Sequence, residues 1–428
     1  MAAARATTAR LSGAVLFWLG FIGILGPMAI DVYLPALPQM ADSFGTSAAA
    51  VQLGLSATTI GMAVGNFFVG TLSDRLGRRK PLIFTGLLMV VGAGLAASAQ
   101  TLPWFLVSCV LMGIAAASVQ VCGRGVIADF TQGATSTRAF SMFNSIVMIG
   151  PLFGPMGGLA LLAAFGWRGI FVALGAFALL GTLGVIIFVP ESLAPENRHS
   201  HGLGTSIASM VKMWRNAVYR WYAIAMFMSF AVMFTYLGTC SLTLQIELAQ
   251  PAWVAAVALA LNGGSIILSG VLTAALSKRV SSVALVFVSI VIQVLAIGYL
   301  AVIVATNSLS VLNIFIIYFV ITWGLGMSFG PITALALTHM RAAAGTALGQ
   351  MGLIQFIVAA VISVLVGTIN PSPAMSMLIL GGIAVAIAIT VALLGRRALL
   401  RDPADDSTPG TPSTMPEEFM PGETLGEV

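Results

Sequence analysis

Charge is the scarcest commodity in this chain. Only 8% of its 428 residues are Asp, Glu, Lys or Arg, whereas 59% are hydrophobic. A soluble domain carries about 25% charged residues, so an ordinary globular protein is excluded. Acid is scarcer still. Seven of the fourteen acidic residues lie after position 401, in a stretch that also holds five prolines. Asp31, Asp42, Asp74, Asp129, Glu191, Glu196 and Glu247 are all that remain elsewhere, and any carboxylate chemistry must use that short set. Cys109, Cys122 and Cys240 fall singly inside apolar stretches and imply neither a disulfide framework nor a metal site. His199, His201 and His339 form no HExxH pattern. The net charge of +5 would suit a nucleic-acid binder. The basic residues, however, sit in short connections between apolar runs, where they read as topology determinants, and no nucleic-acid partner is expected. The first apolar run is too long for a removed signal peptide and lacks a clear cleavage site.

What the chain has in abundance is long apolar runs, near 12–34, 51–72, 82–99, 104–128, 139–164 and 170–189, then 221–246, 253–276, 283–305, 311–339, 345–369 and 374–394. Crossing a bilayer takes about 20 apolar residues, so each run is a candidate span. With the N-terminus placed in the cytoplasm, every Lys and Arg except Arg168 and Arg124 falls on the cytoplasmic side. The positive-inside rule then favours twelve spans with both termini inside. The reading is an all-α polytopic membrane protein, twelve transmembrane helices in two six-helix bundles. The first bundle is 1–189, followed by a cytoplasmic linker at 190–220, a second bundle at 221–395 and a cytoplasmic tail at 396–428. The tail has no apolar run with which to pack and is expected to be disordered. Halves of this kind can be related repeats with a substrate site between them near the midplane.

The strongest local pattern joins the second and third runs: Gly70-Thr-Leu-Ser-Asp-Arg-Leu-Gly-Arg-Arg-Lys80. Gly70 and Gly77 permit close approach and tight turning. Asp74 and the cations Arg75, Arg78, Arg79 and Lys80 can pair with each other or with helix ends. As charge alone, the run would do no more than fix topology. The pattern as a whole resembles the GxLxDRxGRR/K signature of the major facilitator superfamily. The resemblance implies that Asp74, Arg75 and Arg78 latch the cytoplasmic side when the carrier faces outward. Asp129 stands where the family places an acid that joins the latch.

Asp31 lies in the outer part of the first run, after a kink expected at Pro27. Charge inside a span is costly, which makes an intramembrane acid a functional candidate by default; the bland alternative is a cap at the outer interface. The string Ile30-Asp-Val-Tyr-Leu-Pro-Ala-Leu-Pro38 resembles the first-helix signature of the bicyclomycin- and chloramphenicol/florfenicol-resistance branch of drug:proton antiporters. That resemblance makes Asp31 the expected proton-coupling residue.

In the fifth run, Gly150-Pro-Leu-Phe-Gly-Pro-Met-Gly-Gly158 offers small residues for close packing in lipid and two prolines to bend the helix. Its position resembles the GPxxG motif of exporters, carried here by Gly150, Pro151, Gly154, Pro155 and Gly158, with Leu159 where a second glycine is usual. The motif is expected to help packing between the halves and to limit proton leak. The segments 165–171, 190–192 and 345–347 extend the resemblance, more loosely in the second half. One departure stands out. The arginine this group carries in its fourth helix is replaced by Cys109, with Met112 where glutamine or histidine is usual. Arg124, fifteen residues on, is the one cation in that run and a possible charge partner, but it lies about 22 Å away by helical rise. Anionic solutes are therefore expected to be disfavoured beside Asp31, and neutral or cationic amphipaths preferred, unless Arg124 comes into reach.

Together these readings predict a proton-coupled antiporter that exports small amphipathic molecules, drugs among them, by alternating access. Asp31, Tyr33, Gln52, Gln120, Tyr236 and Gln355 are the candidate cavity residues. The expected partners are a small-molecule substrate, protons and the lipid bilayer of a bacterial inner membrane. No cofactor beyond the proton gradient is expected, and the carrier is read as a monomer. Export of an endogenous metabolite, nucleobase or siderophore on the same fold is the rival reading. A membrane sensor or enzyme is more remote, since no attached domain and no paired intramembrane acids or histidines support it.

Overall fold

In the computed structural model, which describes residues 12–131, 133–193, 213–277, 279–337, 344–368 and 372–401, the apolar runs are helices. No strand occurs among the described residues. Ten helices are long and apolar enough to cross a membrane. The longest contains a break at Gly166, where φ is 69° and ψ is −179°, and counts as two spans. With Ala344–Thr368, the described residues make twelve. They are α1 (Gly13–Phe44), α2 (48–76), α3 (Arg79–Ala97), α4 (Leu102–Phe130), α5 (133–165), α6 (167–188), α7 (Ala217–Leu242), α8 (Ala252–Leu276), α9 (Ser282–Ala305), α10 (Val311–Ala336), α11 (Ala344–Thr368) and α12 (373–401). The end of the bundle that bears the start of α1 is here termed the inner end. Of the expected linker 190–220, residues 194–212 lie outside the described residues and 217–220 already belong to α7. Of the expected tail, 396–401 continue α12 and the rest lies outside the described residues.

The turn at Gly166 is read from what flanks it. Gly150 packs against Ile24 and Pro27 and Gly158 against Val32, so α5 runs alongside α1 in the same direction. Phe177 stacks on Phe21 at 4.1 Å and Phe188 on Trp18 at 5.8 Å, so α6 returns along α1 in the opposite direction. A positive φ favours glycine there. Next to it, Arg168 donates to the Ala99 carbonyl at 3.1 Å and lies 4.2 Å over the Trp167 ring.

Proline shapes α1. A proline at position i has no N–H to give the carbonyl at i−4. Pro27 therefore leaves Gly23 unpaired, and the helix stops at Gly23 and resumes at Leu25. Pro35 and Pro38 likewise deprive Asp31 and Leu34 of that helical donor, and the Leu34 carbonyl is met instead by the Leu37 N–H. The α-helix ends at Asp31, passes through a single 3₁₀ turn at Leu34–Ala36 and restarts at Leu37. Pro151 likewise interrupts α5 after Val147.

The peripheral helices expose their apolar side chains. Phe84, Leu87 and Val91 on α3, Val172 and Ile187 on α6, Val291, Leu295 and Val302 on α9, and Ile383 on α12 all face outward. A soluble protein rarely exposes contiguous apolar surface on this scale; a bilayer is the solvent that suits it. The two halves meet chiefly where α2 packs on α11 and α5 on α8.

Candidate functional site

The break in α1 places Asp31 in the interior. Its side chain is 7% exposed, and its Oδ1 has no hydrogen-bond partner. Tyr33 and Tyr236 both lie within electrostatic reach of it. Around it other buried polar atoms are also unpaired: the Tyr33 hydroxyl, both heteroatoms of Gln52, the Ser56 hydroxyl and Asn262 Nδ2. Gln52 is 1% exposed and Asn262 2%. A buried polar group without a partner costs about 1–3 kcal/mol, and native proteins tolerate few. Asn262 comes from the second half and is tied to this region through Tyr236, which neighbours both it and Asp31; such unpaired groups are suited to receive something polar.

Of the expected cavity residues, Gln52 abuts Gly238 of α7 across the two halves, whereas the Tyr33 ring packs within the first half, among Phe105 and Phe171. Tyr236 stands over Tyr318 with ring centroids 5.4 Å apart. Gln120 is half-buried one level inward and lies against Gly26, and Gln355 on α11 is half-buried as well. Cys109 is buried and occupies the level of the missing arginine without any charge.

The exporter motif frames this site from α5. A Cβ on Gly158 would run into the Val32 carbonyl, one on Gly150 would lie 3.0 Å from Pro27, and one on Gly154 would lie 3.9 Å from the Asp31 Cβ. All three glycines thus pack within one half, against α1 on both sides of Asp31. Contact with the other half falls to Pro151. Its carbonyl has lost its helical donor because residue 155 is proline, and Gly263 of α8 closes on it.

At the inner end, Gly77 closes α2 with φ 90°. The Arg78 guanidinium donates from Nη1 to Ser73 at 2.7 Å and pairs through Nε with Asp129 at 3.4 Å. Ser192 donates to the same Asp129 oxygen at 2.6 Å. Arg79 reaches the Ile186 carbonyl at 2.6 Å, and Arg75 is exposed. Gly70 lies within α2; its surroundings and the Asp74 side chain are outside the described residues.

Glu191 is the residue that the sequence reading left without a role. Its carboxylate accepts from the backbone N–H groups of Arg78 at 2.8 Å and Arg79 at 3.3 Å, and so caps the N-terminus of α3. A carboxylate there satisfies free helix N–H groups and opposes the helix dipole. Its proximity to Gly77 explains why that position holds no side chain: a Cβ would collide with the Glu191 carboxylate. The signal in the sequence was Glu191 being one of so few acids, but 113 residues separate it from Arg78.

The comparisons agree with this architecture. The chain is 28% identical to an uncharacterized MFS-type transporter, YdgK, of Bacillus subtilis, over 85% of this chain and 90% of that one. It is 24% identical to a bicyclomycin resistance protein homolog of Haemophilus influenzae, over 87% and 93%. It is 31% identical to a chloramphenicol resistance protein of Pseudomonas aeruginosa, but over only 42% of this chain and 43% of that one. Residues 19–364 match the family described as Major Facilitator Superfamily, and with twelve spans and a polar centre between its halves the chain belongs to that superfamily of membrane transporters.

Proposed function

We propose that the chain is a proton-coupled antiporter that exports small amphipathic molecules, drugs among them, from a bacterial cytoplasm across the inner membrane. The carrying observation is Asp31: a carboxyl buried in a broken span, with an unpaired oxygen and unpaired amides nearby. An intramembrane acid in that setting is suited to take up and release a proton. When the outer ends part, water reaches Asp31 and delivers a proton. When they close and the inner ends part, the proton leaves and substrate enters. The basic residues at the inner end support a cytoplasmic placement of both termini. The resistance proteins among its relatives support drug export over uptake. The proton gradient suffices as the energy source, and a monomer contains the whole site.

The test uses inverted membrane vesicles from a strain that expresses the protein. With an inward acid gradient, adding a transported drug should alkalinise the lumen. The Asp31→Asn variant, present at equal level, should give no response. Drug accumulation without proton movement would reject antiport.

A further inference from the structure

Two cations at the junction between α2 and α3 are committed to partners. Arg78 engages Asp129 and Ser73, and Arg79 the Ile186 carbonyl. Arg124 is different. It lies inside α4, six residues before the helix ends at Phe130. Its side chain is exposed, and it lies one helical turn from Gln120, which faces Gly26 of α1. Its one described bond runs from Nη2 to Gln120 Oε1 at 3.3 Å, and no described carboxylate pairs with it. A charge kept unpaired in a membrane span faces either water or a ligand. Exposure on the face of α4 that turns toward α1, rather than among the outward apolar side chains, fits a water-accessible vestibule.

The position of that vestibule follows from one contact. Gln120 Nε2 fits against Gly26, where a Cβ would lie only 2.5 Å from it. Asp31 is five residues outward of Gly26 on α1, and Arg124 is four residues inward of Gln120 on α4. At about 1.5 Å per residue, they stand roughly 13 Å apart along the bundle axis. The acid and the cation are thus separate stations. Arg78 packs against Gly125, the residue after Arg124 on α4, with its charge already committed to Asp129.

We infer that Arg124 and Gln120 form an anion-recognition site in the inner vestibule, and that the carrier takes small amphipathic monoanions, such as aromatic carboxylates, in preference to cations. The guanidinium is a planar donor that matches a carboxylate in geometry as well as charge. Gln120 accepts one of its N–H groups and holds the fork in place. A cation arriving from the inner end would meet Arg124 before it reached Asp31 and be repelled. This inference rests on the export reading, since it supposes that substrate enters from the inner end.

The experiment uses the purified full-length chain in detergent and three probes with one fluorophore: dansylglycine, its neutral amide and the cation dansylcadaverine. The wild type should bind the carboxylate about tenfold or more tighter than the cation, the scale of a charge-assisted bond. Arg124→Gln should weaken the carboxylate by a similar factor and change the amide by less than about twofold. Arg124→Lys should recover much of the carboxylate binding. Equal binding of carboxylate and amide by the wild type, parallel loss of both in Arg124→Gln, or no carboxylate binding at all would each overturn the site. Proton-linked efflux of dansylglycine in inverted vesicles is scored separately. Arg124-dependent binding without such transport would uphold the anion site and reject the export reading.

Discussion

The Ser241 hydroxyl donates to the Leu34 carbonyl at 2.8 Å, joining α7 to the broken end of α1 across the two halves. That carbonyl also accepts the Leu37 N–H of the 3₁₀ turn and has room for a second donor because Pro38, four residues on, has no N–H. Gln245 donates in turn to Ser241 at 2.7 Å, from the π-helical turn Thr243–Glu247 that extends α7. The chain of bonds ends three residues from Asp31, so closure of the outer end and the proton site share one piece of backbone. On the other side of the interface the Pro151 carbonyl, released by Pro155, meets Gly263. At both places a proline frees a carbonyl in one half and the other half covers it.

Ser241→Ala should weaken outer closure by about 1 kcal/mol, the net worth of one such bond, which shifts the closed-to-open ratio roughly fivefold. Spin labels at Thr46 and Ile246, at the outer ends of α1 and α7, would read this as growth of a longer-distance population. An unchanged distance distribution would show that Ser241 does not hold the gate.

Asp31→Asn should fold and insert with stability at or above that of the wild type, because it removes an ionisable group from an interior site without changing shape. Export driven by a pH gradient should be abolished, while exchange of substrate across the membrane without a gradient persists. Retained gradient-driven export would remove Asp31 from the proton pathway.

Gly158→Ala should cost about 1–3 kcal/mol, the penalty for overpacking, since the new Cβ meets the Val32 backbone, which cannot swing aside. Gly157→Ala should be nearly silent, as nothing lies within 4 Å of its Cβ position. Thermal unfolding in detergent separates the two. Equal melting temperatures would show that α5 can slide away from α1.

Glu191→Ala should lower stability by about 1–2 kcal/mol, as loss of a helix cap does, and slow transport while leaving substrate affinity unchanged. Asp129→Asn should slow transport similarly through Arg78. Its effect on stability should be smaller, about 0–1 kcal/mol, because a lone pair at a helix end is partly solvated. A drop in affinity that tracks the loss of transport would place these groups in the substrate path instead.

The twelve spans were legible in the sequence because lipid demands a long apolar run for each crossing, and composition reveals such runs directly. Single residues were legible for the same reason. In a chain this poor in charge, Asp31 and Arg124 stand out, and Pro27 announces the kink before Asp31. The sequence could not assign partners. Glu191 caps a helix that begins 112 residues earlier, and Ser241 finds a carbonyl 207 residues away; no local pattern encodes either. Nor could it say which way the α5 glycines face: their spacing permits packing on any neighbour, and only the folded bundle sets them against α1. Composition and periodicity thus determined the solvent, the number of crossings and the few groups able to carry charge. Tertiary structure alone decided which of those groups meet, because side-chain pairing depends on how helices far apart in the chain are brought side by side.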